Sequence, residues 1–196
     1  MTDAKLISVY CSGGIRKGPT DRSKLTWGDE ERIALADQVL PVEVVFLNPD
    51  DRTDDLSDAF TVFGRDHFQV QVADLCVVDA RQRRGIGVGI EMLSAKQFGK
   101  AIVSIAPPNS HYRREQLSYL GGHVEDYVHA HLFGLSDAIV DDFAQAGAWI
   151  TSYLRGDVSI KGGSVVSDAI EAYRSRQLNR DRPMQQILDR IEAEKT

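Results

Sequence analysis

Leu75-Cys76-Val77-Val78-Asp79, followed after a short link by Arg84-Gly85-Ile86-Gly87-Val88-Gly89-Ile90-Glu91-Met92-Leu93, is the stretch that decides how this chain is read. The first run is short, apolar and β-branched, as in a strand buried on both faces. The alternating glycines after it mark a place where backbone can approach a ligand closely. The pattern from Val88 to Phe98 predicts the following helix. Glu91 then falls in its first turn, where unpaired N–H groups and the helix dipole favour an ionised carboxylate. A charged carboxylate beside a phosphate-sized cradle of glycines points to a nucleophile facing a phosphorylated or sugar-bearing molecule.

The same alternation extends in both directions. Leu6 to Tyr10 is a first strand, ended by Cys11-Ser12-Gly13-Gly14; Val42 to Leu47 is a second, Ala101 to Ile105 a fourth and Ala138 to Val140 a fifth. Helices are expected over Asp29–Leu40, with Asp29 as its cap and Pro41 as its stop, over 59–73, and over 143–154. Strand alternating with helix implies an α/β fold, a flavodoxin-like three-layer sandwich around a five-stranded parallel sheet of order 2-1-3-4-5. In that order ligands bind at the carboxyl ends of strands one and three, which is where both glycine turns fall. The acidic stretch 50–58 reads as a solvated loop, and 109–134 as an insertion over the site or at an interface. Residues 1–156 are expected to form the α/β domain and 157–196 a helical C-terminal extension. In that extension Val166, Ile170 and Tyr173, then Met184, Leu188 and Ile191, recur at helical spacing, with a break at Arg182-Pro183.

Composition narrows the possible partners. The chain has 196 residues, 42% of them hydrophobic, and a net charge of −6. That charge disfavours a nucleic-acid polymer as partner. No apolar run reaches the length of about 18 residues that a membrane span needs. The start of the chain lacks a secretory pattern, and Cys11 and Cys76 read as reduced core thiols, so a cytoplasmic protein is expected. Basic residues cluster at the two glycine turns: Arg16, Lys17, Arg22 and Lys24 near the first, Arg81, Arg83 and Arg84 before the second. Such a local rim suits a small anion. A nicotinamide site is not expected, because the first strand-to-helix turn lacks the GxGxxG spacing, and no P-loop is present. No metal site or cofactor is expected. His111, His123, His129 and His131 lie in the insertion without convincing ligand spacing.

Taken in order, Tyr10-Cys11-Ser12-Gly13-Gly14-Ile15-Arg16, Asp66 before Ala73-Asp74-Leu75-Cys76-Val77-Val78, and Gly87-Val88-Gly89-Ile90-Glu91 resemble the nucleoside 2-deoxyribosyltransferase family. The likeness is nearest to its 2′-deoxynucleoside 5′-phosphate N-hydrolase branch and spans roughly residues 6 to 106. It implies that Glu91 attacks C1′ of the sugar, that Asp66 protonates the leaving base or holds sugar hydroxyls, and that Tyr10 bonds near the nucleophile. It also implies a substrate cradle of Ser12, Gly14, Arg16, Gly85, Gly87 and Gly89. Asp79, at a strand end, is a further candidate for substrate contact. Members of that family complete the site with a loop from a neighbouring subunit, so a homodimer or larger homo-oligomer is implied, with His129 or His131 candidates for that role. The expected activity is hydrolysis of the N-glycosidic bond of a (deoxy)nucleoside 5′-monophosphate, with no cofactor. The alternatives are base exchange by a 2-deoxyribosyltransferase and a non-catalytic nucleotide sensor. A phosphoribohydrolase of the lysine-decarboxylase-like kind is disfavoured by the missing Pro-Gly-Gly and Thr.

Overall fold

The computed structural model describes residues 6–15 and 23–194. Five strands, β1 (Leu6–Ser12), β2 (Glu43–Leu47), β3 (Leu75–Asp79), β4 (Ala101–Ile105) and β7 (Ala138–Val140), form one parallel sheet of order β2-β1-β3-β4-β7. With β7 counted as the fifth parallel strand, this is the expected 2-1-3-4-5 arrangement. Every residue of β3 and β4 is buried, which is why these strands read as unbroken apolar runs.

Side chains alternate between the two layers. Val9, Cys11, Leu75 and Val77 join the core beneath α1 (Asp29–Ala36) and α5 (Phe143–Arg155). Tyr10, Cys76, Val78 and Ile102 join the core beneath α2 (Ala59–Val72) and α3 (Ile86–Gln97). The period of two therefore sends Tyr10 and Ser12 toward α3, and Asp79 toward the opposite layer.

Helix ends follow local chemistry. Asp58 caps α2 by accepting from the N–H groups of Phe60 and Thr61 at 3.1 and 3.2 Å. Asp142 caps α5 through Gln145 N at 2.8 Å, and Gly156 ends it in the left-handed region. At α1 the cap is Gly28, not Asp29, and the Glu31 carboxylate returns to accept from Gly28 N at 3.0 Å. The helix stops at Ala36, short of the expected Leu40. The stretch 50–58 is an exposed loop as expected, with Arg52 and Asp54 its half-buried residues. Arg52 grips Asp54 at 2.5 Å and lies 3.5 Å from Asp66.

The insertion has its own structure: an antiparallel hairpin of β5 (Arg113–Tyr119) and β6 (Gly122–Val128), then a short α4 (Ala130–Leu135). A buried cation fastens it to the core. Lys96, near the end of α3, is fully buried and bonds Asp137 at 2.6 Å. The same Asp137 carboxylate accepts from Ile102 N at 2.7 Å and Lys161 N at 2.6 Å. With every charge partnered, this pair fixes where α3 ends. A second compact unit, 163–196, contains α6 (Val165–Arg176), a 3₁₀ turn (Leu178–Arg180) and α7 (Arg182–Ala193).

α1 and α5 approach closely at Gly147. A Cβ there would lie 2.8 Å from Gln38 Cβ and would overlap the Leu35 carbonyl oxygen. Gly147→Ala is therefore expected to destabilise the domain by about 1–3 kcal/mol through overpacking. This outweighs the gain of up to ~1 kcal/mol that alanine brings to a helix interior. Urea denaturation measures the sign.

Candidate active site

At the carboxyl edge of the sheet, β1 and β3 end as paired neighbours and the chain leads from β3 into α3. α3 starts at Ile86, two residues earlier than the sequence pattern implies, with Gly85 as its extended N-cap. Glu91 is consequently its sixth residue, in the second turn instead of the first. Dipole stabilisation fades beyond the first turn, so it is not what governs this carboxylate.

Contacts govern it. Ser12 Oγ donates to Glu91 Oε2 at 2.5 Å. The Tyr10 hydroxyl, one pleat back on the same face of β1, is buried beside the carboxylate and has no partner of normal hydrogen-bond geometry among the described residues. Burial pushes the Glu91 carboxyl above its ordinary value; Ser12 and Tyr10 act in the opposite direction, and the charge of Asp66 adds to the rise. The sequence expectation of a carboxylate held ionised by a helix start is thus corrected. It is a half-buried acid that hydrogen bonds keep ionisable. Oε1 faces Gly87, whose missing side chain leaves open space: a Cβ there would lie 3.8 Å from that oxygen. Positions 85 and 89 also have open space where a Cβ would be.

Asp66 projects from α2. Burial raises its pKa, and Arg52 and Arg65, each 3.5 Å from Oδ1, oppose that rise. Oδ1 itself is buried without a hydrogen-bond partner. Glu91, Tyr10, Ser12 and Asp66 are thus brought into one electrostatic neighbourhood, as the sequence order implied.

Other expected contacts receive different jobs. Asp79 is fully buried. Its carboxylate binds Arg81 Nε at 2.9 Å and Arg84 Nη2 at 2.7 Å, and accepts from Arg81 N at 3.1 Å. It therefore shapes the loop and is not exposed to a ligand. Arg81 also holds Glu31 at 2.9 Å, and Arg84 bonds the carbonyls of Asp79 and Leu25. These two arginines are structural ties, which leaves Arg83 as the exposed cation of that rim. Gly14 is small because Arg84 passes over it: a Cβ would lie 2.5 Å from Nη1 and 2.8 Å from the Leu25 carbonyl oxygen. Arg16 lies outside the described residues.

His129 and His131 sit at the start of α4, with ring centroids 5.4 Å apart. Burial, and then the neighbouring His131 and His111, hold His129 below its ordinary pKa. Tyr112, between β4 and the hairpin, packs edge-on against His129 and accepts from Arg84 N at 2.8 Å. The sequence reading missed Tyr112. Its signal was slight, one aromatic between a histidine and the hairpin's basic start. It also missed Trp27, which bonds the Ser12 carbonyl at 3.1 Å and packs under Gly13. No group of His, Cys, Asp and Glu suited to a metal occurs among the described residues.

No protein-family model matches the chain, and no curated protein matches its sequence. Among solved structures, it is similar to a 2-desoxiribosyltransferase from Leishmania mexicana, with a TM-score of 0.53 and 15% identity over 75% of this chain and 98% of that one. The two share a fold. A 2-deoxyribosyltransferase from Bacillus psychrosaccharolyticus matches at a TM-score of 0.48 and 12% identity, over 79% of this chain and 98% of that one. A β-glucosidase from Erythrobacter marinus matches at 0.37 and 18%, over 79% of this chain and 24% of that one. At these lower scores no argument follows, and the chemistry rests on the site's own geometry.

Asp79→Ala is expected to cost roughly 3–5 kcal/mol, because it leaves the buried Arg84 guanidinium without its counter-charge and removes one of the two carboxylates that hold Arg81. Chemical denaturation reads that loss. A variant of normal stability with a raised KM would return Asp79 to the substrate-contacting role.

Proposed function

We propose that the chain cleaves the N-glycosidic bond of a nucleoside or nucleotide with Glu91 as nucleophile. One observation carries this reading: a carboxylate at the carboxyl ends of β1 and β3, held by Ser12 on one oxygen and facing the side-chain-free Gly87 with the other. The family resemblance and the fold shared with a 2-deoxyribosyltransferase support it.

In the first step Oε1 of Glu91 attacks C1′, the bond from C1′ to the base nitrogen breaks, and Asp66 supplies the proton that neutralises the departing base. Burial moves the Asp66 pKa upward, the direction a proton donor needs, against the pull of Arg52 and Arg65. In the second step water attacks C1′, the ester to Glu91 breaks, and Asp66 takes the water's proton. Both carboxyl groups return to their starting state. The buried Tyr10 hydroxyl beside Glu91 and Asp66 Oδ1, held only at ion-pair distance by Arg52 and Arg65, have hydrogen-bonding capacity left for sugar hydroxyls or the base edge.

The acceptor in the second step separates hydrolysis from base exchange. Whether the substrate is phosphorylated is a separate question: Arg83 and Arg16 favour a 5′-monophosphate, whereas the commitment of Arg81 and Arg84 to Asp79 favours an unphosphorylated nucleoside. Cys11 and Cys76, both buried and free, fit a reducing compartment such as the cytoplasm.

A panel of nucleosides and 5′-monophosphates, incubated with and without an acceptor base and read by chromatography, tests the reading. Base release is expected from the wild type. Glu91→Gln is expected to lower it by at least ~10³-fold. Intact substrate throughout, or release unchanged in that variant, overturns the assignment.

The acidic limb of the pH–rate profile is expected above the ordinary glutamate range. Ser12→Ala removes a bond to the ionised form, so that limb moves further up. Stability supplies a second check. A carboxylate that ionises less readily in the fold than in the unfolded chain costs stability above its folded pKa, and this cost vanishes below the unfolded one. Glu91→Gln is therefore expected to melt no lower than wild type at pH 7, with any advantage gone by roughly pH 4.

A further inference from the structure

The loop between β2 and α2 carries an arginine that the proposed reaction leaves unused. Arg52 sits in an acidic stretch, flanked by Asp50, Asp51, Asp54 and Asp55, yet its side chain is only 15% exposed. Asp54 holds it with both oxygens: Nε donates to Oδ1 at 2.8 Å and Nη2 donates to Oδ2 at 2.5 Å. A two-pronged pair of this kind fixes the plane of the guanidinium as well as its distance. The remaining nitrogen, Nη1, then lies 3.5 Å from Asp66 Oδ1.

Arg65 approaches the same oxygen at 3.5 Å but has a second task. It donates to the carbonyls of Asp51 at 2.6 Å and Pro49 at 3.3 Å, and so fastens the loop to α2. Arg52 is spent on carboxylates alone among the described residues. Asp66 Oδ1 is therefore flanked by two cations and is still buried without a hydrogen bond. That combination is unusual for a purely structural ion pair, which places donors on both oxygens. It suits a carboxyl group that must keep its orientation while its reacting oxygen stays available for a proton.

We propose that Arg52, clamped by Asp54, is a positioning residue for Asp66, holding that carboxyl group in place and balancing its charge while leaving Oδ1 free to exchange a proton. This rests on the reading of Asp66 as the acid and base of the reaction. As the bond from C1′ to the base breaks, the O–H bond of Asp66 breaks and an N–H bond forms on the base. Negative charge then develops on Asp66, 3.5 Å from a guanidinium already fixed in position. The proton from the attacking water later restores the neutral acid. Other charged groups act on Asp66 from each side. Arg65 and His67 of α2 favour its ionised form, Asp54 of the loop and Glu91 of α3 oppose it, and Tyr10 of β1 lies within the same field.

Two substitutions separate charge from orientation. Arg52→Gln removes the attraction to the ionised form, so Asp66 is expected to titrate higher, read directly by carboxyl NMR, and the basic limb of the pH–rate profile to move up with it. Its kcat for base release is expected to fall by about 10- to 100-fold with KM changed less than about 3-fold. Arg52→Lys keeps a charge but loses the two-pronged grip on Asp54. It is expected to leave the limb near its wild-type position and to lower kcat by about 3- to 10-fold. A merely structural arginine would change melting temperature and leave the titration of Asp66 where it was. Glu91-dependent base release with Asp66 titrating unchanged in Arg52→Gln, or with kcat unchanged in Arg52→Lys, overturns this proposal alone. Base release that is absent from the wild type, or indifferent to Glu91→Gln, overturns the parent reading and this one with it.

Discussion

The fully buried carboxylate of Asp79 gathers the guanidinium groups of Arg81 and Arg84 at the end of β3, and that clamp sets the path of the chain into α3. Removing three charges from bulk water is costly unless each finds a close opposite partner. Here Asp79 is shared between both arginines, Arg81 reaches Glu31, and Arg84 takes the carbonyls of Asp79 and Leu25. The loop between β3 and α3 is held from below by this network. From above it is held by the Tyr112 hydroxyl on Arg84 N. With Lys96 pinned to Asp137 at the far end, α3 is tied at both ends, and Glu91 is carried on a rigid element.

That rigidity lets the site keep an unfavourable group. Burial works against the ionised form of Glu91, and only Ser12 and Tyr10 oppose it. A carboxylate in such a position is poorly solvated and correspondingly reactive once ionised. The fold accepts a stability cost at the place where chemistry is proposed, which is a common compromise between stability and activity.

Much of the architecture was legible because its causes are local. Fully buried parallel strands need unbroken apolar runs, and β3 and β4 have them. The ordered set Tyr10, Ser12, Asp66 and Glu91 was legible through its resemblance to a known family, and the strand period places the first two on one face of β1. The misreadings came from contacts distant in sequence. Asp79 looked like a ligand contact because it ends a strand, but alternation turned it away from Glu91 and into the arginines. Gly14 looked like part of a ligand cradle, whereas its lack of a side chain makes room for Arg84. Arg52 was hidden in a run of acidic residues whose composition reads as solvent-facing, and its partner Asp66 lies on the next helix.

The sequence by itself determined the strand and helix succession, the sheet order and the identity of the carboxylate at the second glycine turn, because periodicity and turn chemistry act over a few residues. Only the tertiary structure decided which charges stand beside Glu91 and which are consumed in holding the surrounding loops. Ion pairs such as Asp79 with Arg84, or Lys96 with Asp137, depend on desolvation, and that is a property of the packed layers around a group.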